Sequence, residues 1–220
     1  MSGPLSGLRV LYLSHYGVGP WACVLLGEMG ADIVKVEPLD GDYLSRQPPP
    51  YKNGITTVYI CSNLNKRIAQ FDLHDETVRE TMYELVRQSD IVVENHRPGY
   101  YDRRGMGWET VQKVNPRIIY CSSSGYGSKG PYKDMGSTDP YGQAIGAFAS
   151  VSGDIGAIPE GMKGTSPMDH AASQYIVSGV LAAVYNRTLT GRGQFVDTSQ
   201  MHAAAGMASP RSSEYFATGV

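Results

Sequence analysis

The carboxylate of Asp169 stands in the segment Ser166-Pro167-Met168-Asp169-His170, directly ahead of a long apolar stretch. Two kinds of chemistry fit that place. An aspartate is a good helix N-cap. A carboxylate at the positive end of a helix, held ionised by the dipole and by backbone N–H groups, can also act as a covalent nucleophile once substrate excludes water above it. Position alone leaves both open. Arg97, Arg103 and Arg104 follow Asn95 in one basic cluster, which is either a solvated charged turn or a cradle for a polyphosphate.

Other motifs offer competing chemistries. Gly17-x-Gly19-x-x-Ala22 has the form of a dinucleotide-binding turn, with Glu37 as the acid for a ribose hydroxyl, although any tight strand-to-helix turn favours glycine. That reading makes an NAD-dependent oxidoreductase an alternative. No tyrosine, however, has a lysine four residues on, so the Tyr/Lys pair of many reductases is missing. Cys121-Ser122-Ser123-Ser124-Gly125 is a weak nucleophile elbow, lacking the first glycine, and Ser123, Asp169 and His202 have the chain order of a hydrolase triad. Gly125-Tyr126-Gly127-Ser128-Lys129-Gly130 lacks the Gly-Lys-[Ser/Thr] of a phosphate-binding P-loop. His15, His74, His96, His170 and His202 have no metal-ligand spacing, so no metal site is expected.

Composition narrows the classes. Nineteen basic residues against 21 acidic ones give a formal charge of −2, which argues against nucleic acid or an anionic membrane surface as partner. Apolar residues make up 41 %, enough for a true core, and none of their runs reaches the ~20 residues of a membrane-spanning helix. The opening MSGPLSGLRVLYL lacks the pattern of a secretory leader. Three cysteines, Cys23, Cys61 and Cys121, are odd in number and far apart, which reads as reduced thiols in a cytoplasmic protein.

The elements that must position these groups alternate. Residues 8–13 form an apolar run suited to a strand buried on both faces. A Gly/Pro turn and a helix over 21–29 follow, with Gly30 as its stop, then a strand over 32–37. Residues 38–56, rich in Pro, Gly and Tyr, form a long excursion of the kind that is usually functional or mobile. Strands are predicted at 68–71, 91–94, 117–121 and 194–197. Helices are predicted at 75–88, opened by Asp75, at 107–114, near 139–150 and, most strongly, at 169–189. The pattern predicts an α/β fold, a doubly wound, Rossmann-like, mostly parallel sheet with helices on both faces.

Taken in order, several segments resemble the class III CoA-transferases, the family of formyl-CoA transferase and carnitine CoA-transferase. They are Pro4-Leu5-Ser6-Gly7-Leu8-Arg9-Val10-Leu11, Gly30-Ala31-Asp32-Ile33-Val34-Lys35-Val36-Glu37-Pro38, Asn63-Leu64-Asn65-Lys66-Arg67, Asp90 to Gly99, Asn115 to Ser122 and Thr190-Gly191-Arg192-Gly193-Gln194. The resemblance implies transfer of CoA from an acyl-CoA donor to a free carboxylic acid, with Asp169 as nucleophile and aspartyl anhydride and aspartyl-CoA thioester intermediates. It implies CoA contacts at His15, Tyr16, Gly17, Val18, Asn95, His96, Arg97 and Arg103, with CoA thioester as substrate and no permanently bound cofactor. His74 stands where relatives can carry a lysine. Thr138, before Asp139, stands where racemases of the superfamily carry a histidine, which disfavours racemisation. The resemblance further implies that residues 1–220 are the large domain, without the smaller second domain and the C-terminal return. The expected state is a homodimer, or a pairing with a chain that supplies the second half. A partner-dependent or non-catalytic large-domain subunit is the alternative from another class.

Overall fold

The computed structural model describes residues 3–154 and 156–219. In chain order the elements are β1 (Arg9–Tyr12), α1 (Val18–Glu28), β2 (Asp32–Glu37), β3 (Tyr51–Lys52), β4 (Ile55–Thr56), α2 (Thr57–Ser62), β5 (Lys66–Gln70), α3 (Arg79–Arg87) and β6 (Ile91–Glu94). The second half adds α4 (Trp108–Val114), β7 (Ile119–Ser124), α5 (Asp139–Ile145), α6 (Pro167–Thr190), β8 (Phe195–Ser199), α7 (Gln200–Met207) and α8 (Ser209–Thr218).

Six strands form one sheet in the order β5-β2-β1-β6-β7-β8. Every pairing in it is parallel. The central strands are apolar on both faces because both faces are covered. Val10, Ile33, Ile91 and Ile119 share a register row and pack beneath α1 and α6, against Ala22, Leu26, Ile176 and Val180. One residue on, Leu11, Val92 and Tyr120 point to the other face, where Met82 and Val86 of α3 and Val111 of α4 cover them. Burial of each such aliphatic side chain contributes about 1.5–3 kcal/mol. The expected doubly wound sheet is present, and it is parallel throughout.

The chain runs outward from β1 to β2 and β5, then returns to place β6 on the other side of β1. Strand order therefore reverses between β1 and β6. At such a point the connections leave to opposite sides and open a crevice at the carboxyl ends of the strands. His15, Tyr16, Asn95 and His96 all follow directly on β1 or β6.

The 38–56 excursion is tied down, not loose. Lys35 of β2 is 1 % exposed. Its Nζ contacts the Glu37 carboxylate at 2.7 Å, Asn63 Oδ1 at 2.8 Å and the Asp42 carboxylate, and lies 5.1 Å from the Tyr59 ring centroid. Asp42 in turn accepts the Leu44 N–H at 2.8 Å, and Thr56 Oγ1 donates to the Leu44 carbonyl at 2.6 Å. The two-residue strands β3 and β4 close a small hairpin inside the same segment.

Candidate functional site

Two helices aim their N-termini at one small cavity at the switch point. The turn after β1 reverses through Tyr16 (φ 45°) and Gly17 (φ 81°), and α1 begins at Val18 with no side-chain cap. The first N–H groups of a helix have no intrahelical partner. Opposite, α6 begins at Pro167, and Ser173 Oγ, also bonded within α6 to the Asp169 carbonyl, donates to the Val18 carbonyl at 2.7 Å, locking the two helices together. The cavity holds about 140 Å3 and is lined by His15, Tyr16, Gly17, Asn95, Ser123 and Asp169, among others.

Asp169 is not the N-cap of α6. Ser166 occupies that position and makes no side-chain capping bond. The cap comes from α5, thirty residues earlier in the chain. Asp139 Oδ2 accepts the N–H groups of Met168 at 2.7 Å and Asp169 at 2.9 Å, while its Oδ1 accepts from Gln143 Nε2 at 2.5 Å. The N–H groups expected to hold the Asp169 carboxylate ionised are thus taken by Asp139. Burial, first, and the Asp139 charge, second, push the Asp169 carboxyl up to about 6, against a smaller lowering by a hydrogen bond from Gln200. A Cβ built on Gly17 would lie 3.0 Å from Asp169 Oδ2, so a glycine keeps this approach open.

Asn95 is a strut. Its Nδ2 donates to the carbonyls of His15 and Tyr16, both at 2.9 Å, and its Oδ1 accepts the His15 N–H at 3.2 Å, so the side chain fixes the turn before α1. His96 stacks on Tyr100 at 4.1 Å and lies 4.4 Å from the His15 ring. Burial above all, with His15 and Arg104 adding to it, lowers His96 to about 3, and burial also lowers His15. Both rings are therefore neutral at physiological pH and form an uncharged wall. Behind them Glu94 Oε2 accepts the His96 N–H at 2.8 Å, and burial pushes that carboxyl up to about 7.

His15 also borders a larger cleft of about 540 Å3, together with Pro38, Asp42, Phe71, His74 and Tyr100. A cleft of this size takes a drug-sized or nucleotide-sized ligand; the small cavity takes only a reacting head group. The two meet at His15.

The residues picked out from the sequence divide. His15, Tyr16, Gly17, Val18, Asn95 and Asp169 line the small cavity, and His96 lines the cleft. Arg97 and Arg103 are exposed and line neither. Arg97 lies against Gly136, and Arg104 stacks on the Tyr100 ring at 3.8 Å while donating to its carbonyl. The three arginines thus do not form one cradle. The hydrolase triad is not assembled: His202 is exposed, outside the cavity, and its N–H bonds Ser199. Glu37, needed on a ribose by the dinucleotide reading, is held by Lys35 and by the Tyr59 hydroxyl at 2.9 Å. Among the described residues no cluster suited to a metal ion is found, and no helix is long and apolar enough to cross a membrane. Asp139 and Gln200 were missed, because nothing local in the sequence ties either one to Asp169.

Residues 5–220 match the profile of CoA-transferase family III. The chain is 38 % identical over 199 residues to a formyl-CoA:oxalate CoA-transferase of Streptomyces coelicolor, covering 90 % of this chain and 48 % of the relative. It is 36 % identical over 197 residues to the succinyl-CoA–L-malate CoA-transferase β subunit of Chloroflexus aurantiacus, covering 89 % of this chain and 49 % of that one. A crystal structure of a CAIB/BAIF family protein from Brucella suis superposes with a TM-score of 0.96 at 31 % identity, over 100 % of this chain and 59 % of that one. The chain spans about half the length of the curated relatives it matches.

Proposed function

Because the chain belongs to CoA-transferase family III, we propose that it moves CoA from an acyl-CoA thioester to a free carboxylic acid, with Asp169 as the covalent nucleophile. The observation that carries this reading is the Asp169 carboxylate at the small cavity, with Oδ2 facing the Gly17 turn. In the first step Oδ2 attacks the thioester carbonyl, the developing oxyanion faces the uncapped N-terminus of α1, and CoA thiolate leaves to give a mixed anhydride. The thiolate then attacks Asp169 Cγ and expels the donor acid, giving an aspartyl-CoA thioester. The acceptor carboxylate attacks Cγ in turn, thiolate leaves again, and its attack on the acceptor carbonyl releases the new thioester and the free aspartate. Covalent catalysis divides one difficult exchange into easier ones.

The nucleotide end of CoA lies in the larger cleft in this reading, and the thioester passes His15 into the small cavity. Gly17 and Val18 meet the acyl end, Asn95 holds their turn, and His96 gives the ligand a neutral stacking face. Arg97 and Arg103 line neither cavity; the family resemblance alone assigns Arg97 to CoA and Arg103 to its phosphates. The residues described here serve as the large domain of the active unit. Exposed apolar side chains on α6 and α8, among them Tyr185, Leu189 and Phe216 (83 % exposed), favour a homodimer or a pairing with a further chain.

The test is to incubate the protein with formyl-CoA, acetyl-CoA or succinyl-CoA, the donors in the relatives' names, and quench with hydroxylamine. An aspartyl hydroxamate on the Asp169 peptide is expected, and none in Asp169→Asn. A wild-type protein that transfers CoA without any adduct at Asp169 would refute the covalent route.

A further inference from the structure

The two oxygens of the Asp169 carboxylate are held differently. Oδ1 accepts a hydrogen bond from Gln200 Nε2. Oδ2 has no donor among the described residues. Gln200 is the first residue of α7 and 5 % exposed. Its position does not depend on Asp169. Ser199 before it pairs with Ser124 of β7 and caps α7, its hydroxyl taking the His202 N–H at 3.1 Å. Met201 after it donates to the Gly125 carbonyl at 3.0 Å. The backbone on both sides is tied to the sheet and to the loop that lines the cavity, and this directs the amide at the carboxylate.

We infer that Gln200 is a catalytic residue of the reaction proposed above: its amide N–H stabilises the oxyanion that forms on Asp169 Oδ1 whenever the aspartyl carbonyl is attacked. The inference rests on Asp169 being the nucleophile. In the mixed anhydride Oδ2 is the bridging oxygen and Oδ1 the carbonyl oxygen. When CoA thiolate adds to Cγ, the S–Cγ bond forms and the π pair of Cγ=Oδ1 moves onto Oδ1. Collapse restores the double bond, breaks Cγ–Oδ2, and the donor acid leaves as its carboxylate carrying Oδ2. When the acceptor carboxylate adds to the thioester, an O–Cγ bond forms, charge again gathers on Oδ1, and collapse expels thiolate. Both tetrahedral species put their charge on the one atom that Gln200 already touches. A donor preorganised for developing charge is worth ~10²–10³ in rate. An amide suits the place because it stays neutral at every working pH and does not neutralise the nucleophile.

The experiment compares wild type, Asp169→Asn, Gln200→Ala and Gln200→Glu in single-turnover formation of the aspartyl thioester, trapped with hydroxylamine, alongside CoA binding. The glutamate variant keeps the shape but replaces the donor by an acceptor. Tyr16, Asp139 and His15, the other titratable groups beside Asp169 or lining its cavity, are unchanged in all four proteins. We expect Gln200→Ala to form the thioester ~10²–10³ slower with CoA affinity changed less than about threefold. Gln200→Glu should be slow at pH 8 and gain rate as pH falls, because a proton shared with Asp169 restores a donor. Wild type should show the opposite, losing rate as pH falls through about 6. A side chain that merely fills space would leave the wild-type pH trend in both variants. Wild-type thioester formation with both Gln200 variants within about threefold of it, or Gln200→Glu following the wild-type pH trend, would overturn the role of Gln200 and leave Asp169 standing. No adduct in wild type would remove the nucleophile and Gln200 together. Should Gln200→Ala fail to fold, the pH trend of Gln200→Glu still decides.

Discussion

Replacing Asp169 by asparagine should stabilise the fold strongly at pH 8 and much less at pH 4.5. Burial and the Asp139 charge raise the native carboxyl from its ordinary 3.8 to about 6. A raised native pKa means that the protonated form is the one folding favours. The stability associated with it is complete below pH 3.8 and is lost as pH climbs through about 6. At 1.36 kcal/mol per pH unit, the ionised carboxylate costs the native state about 3 kcal/mol at pH 8 and about 1 kcal/mol at pH 4.5. Asparagine has the same shape, still accepts from Gln200 through its oxygen, and leaves the Asp139 cap untouched. Urea unfolding of both proteins at the two pH values measures the difference, read from midpoints at equal slope. The expected gain is about 2 kcal/mol larger at pH 8 than at pH 4.5. An equal gain at both, or a loss at pH 8, would show that the carboxylate is comfortably solvated and that the raised pKa is wrong. The same variant should be inactive in transfer, so stability and catalysis would move in opposite directions at one atom.

Asp139→Asn should remove the charge beside Asp169 and move the acidic limb of the rate profile to lower pH, while the weakened cap costs α6 about 1 kcal/mol in chemical denaturation. Glu94→Gln should stabilise the protein by about 3 kcal/mol at pH 8 and by little at pH 4.5, since Glu94 is raised from 4.5 to about 7 by burial, and unfolding curves at the two pH values check it. Lys35→Met should cost about 3–5 kcal/mol, because Glu37 and Asp42 would remain buried without their cation, and thermal unfolding reads it directly. Arg103→Ala should weaken CoA and its thioesters alike, with a larger effect at low salt, measured by calorimetry at two ionic strengths; altered acyl preference with unchanged CoA affinity would place Arg103 away from the phosphates.

Strands that are buried on both faces were legible as apolar runs, which is why β1, β2 and β6 match their expected places; β7, expected at 117–121, runs Ile119–Ser124, because its last three residues are buried serines that carry no apolar signal. The edge strand β5 begins at Lys66, two residues before its expected start at 68, because an exposed edge needs no apolar side chains there. The hairpin β3–β4 is too short to carry a periodicity, and α7 and α8 follow β8 in a segment without strong amphipathic pattern. Asp75 was readable as a cap because its bond to Thr77 N–H is two residues away, but it caps the short 3-10 turn Glu76–Val78 that leads into α3, whose own start at Arg79 has no side-chain cap. Asp139 was not, since it caps a helix thirty residues on. Local chemistry is written locally; the place of Asp169 at the start of a long helix left capping and nucleophilic chemistry both open, the family resemblance implied the second, and the groups that set its basicity come from elements that only the folded sheet brings beside it.

The anchoring of the 38–56 segment bears on how a ligand is met. Ordering one residue of a free loop costs about 1–2 kcal/mol in backbone entropy. In a lid that closes on its ligand, that cost is subtracted from affinity at every binding event. Here the Lys35–Asp42 contact and the Thr56 bond to Leu44 set one wall of the larger cleft when the chain folds. A ligand arriving there meets a surface whose shape is already decided, and its affinity reflects fit to that wall undiminished by the ordering of it. A ligand that enters this cleft is then expected to bind without first having to order the Asp42–Leu44 part of its wall.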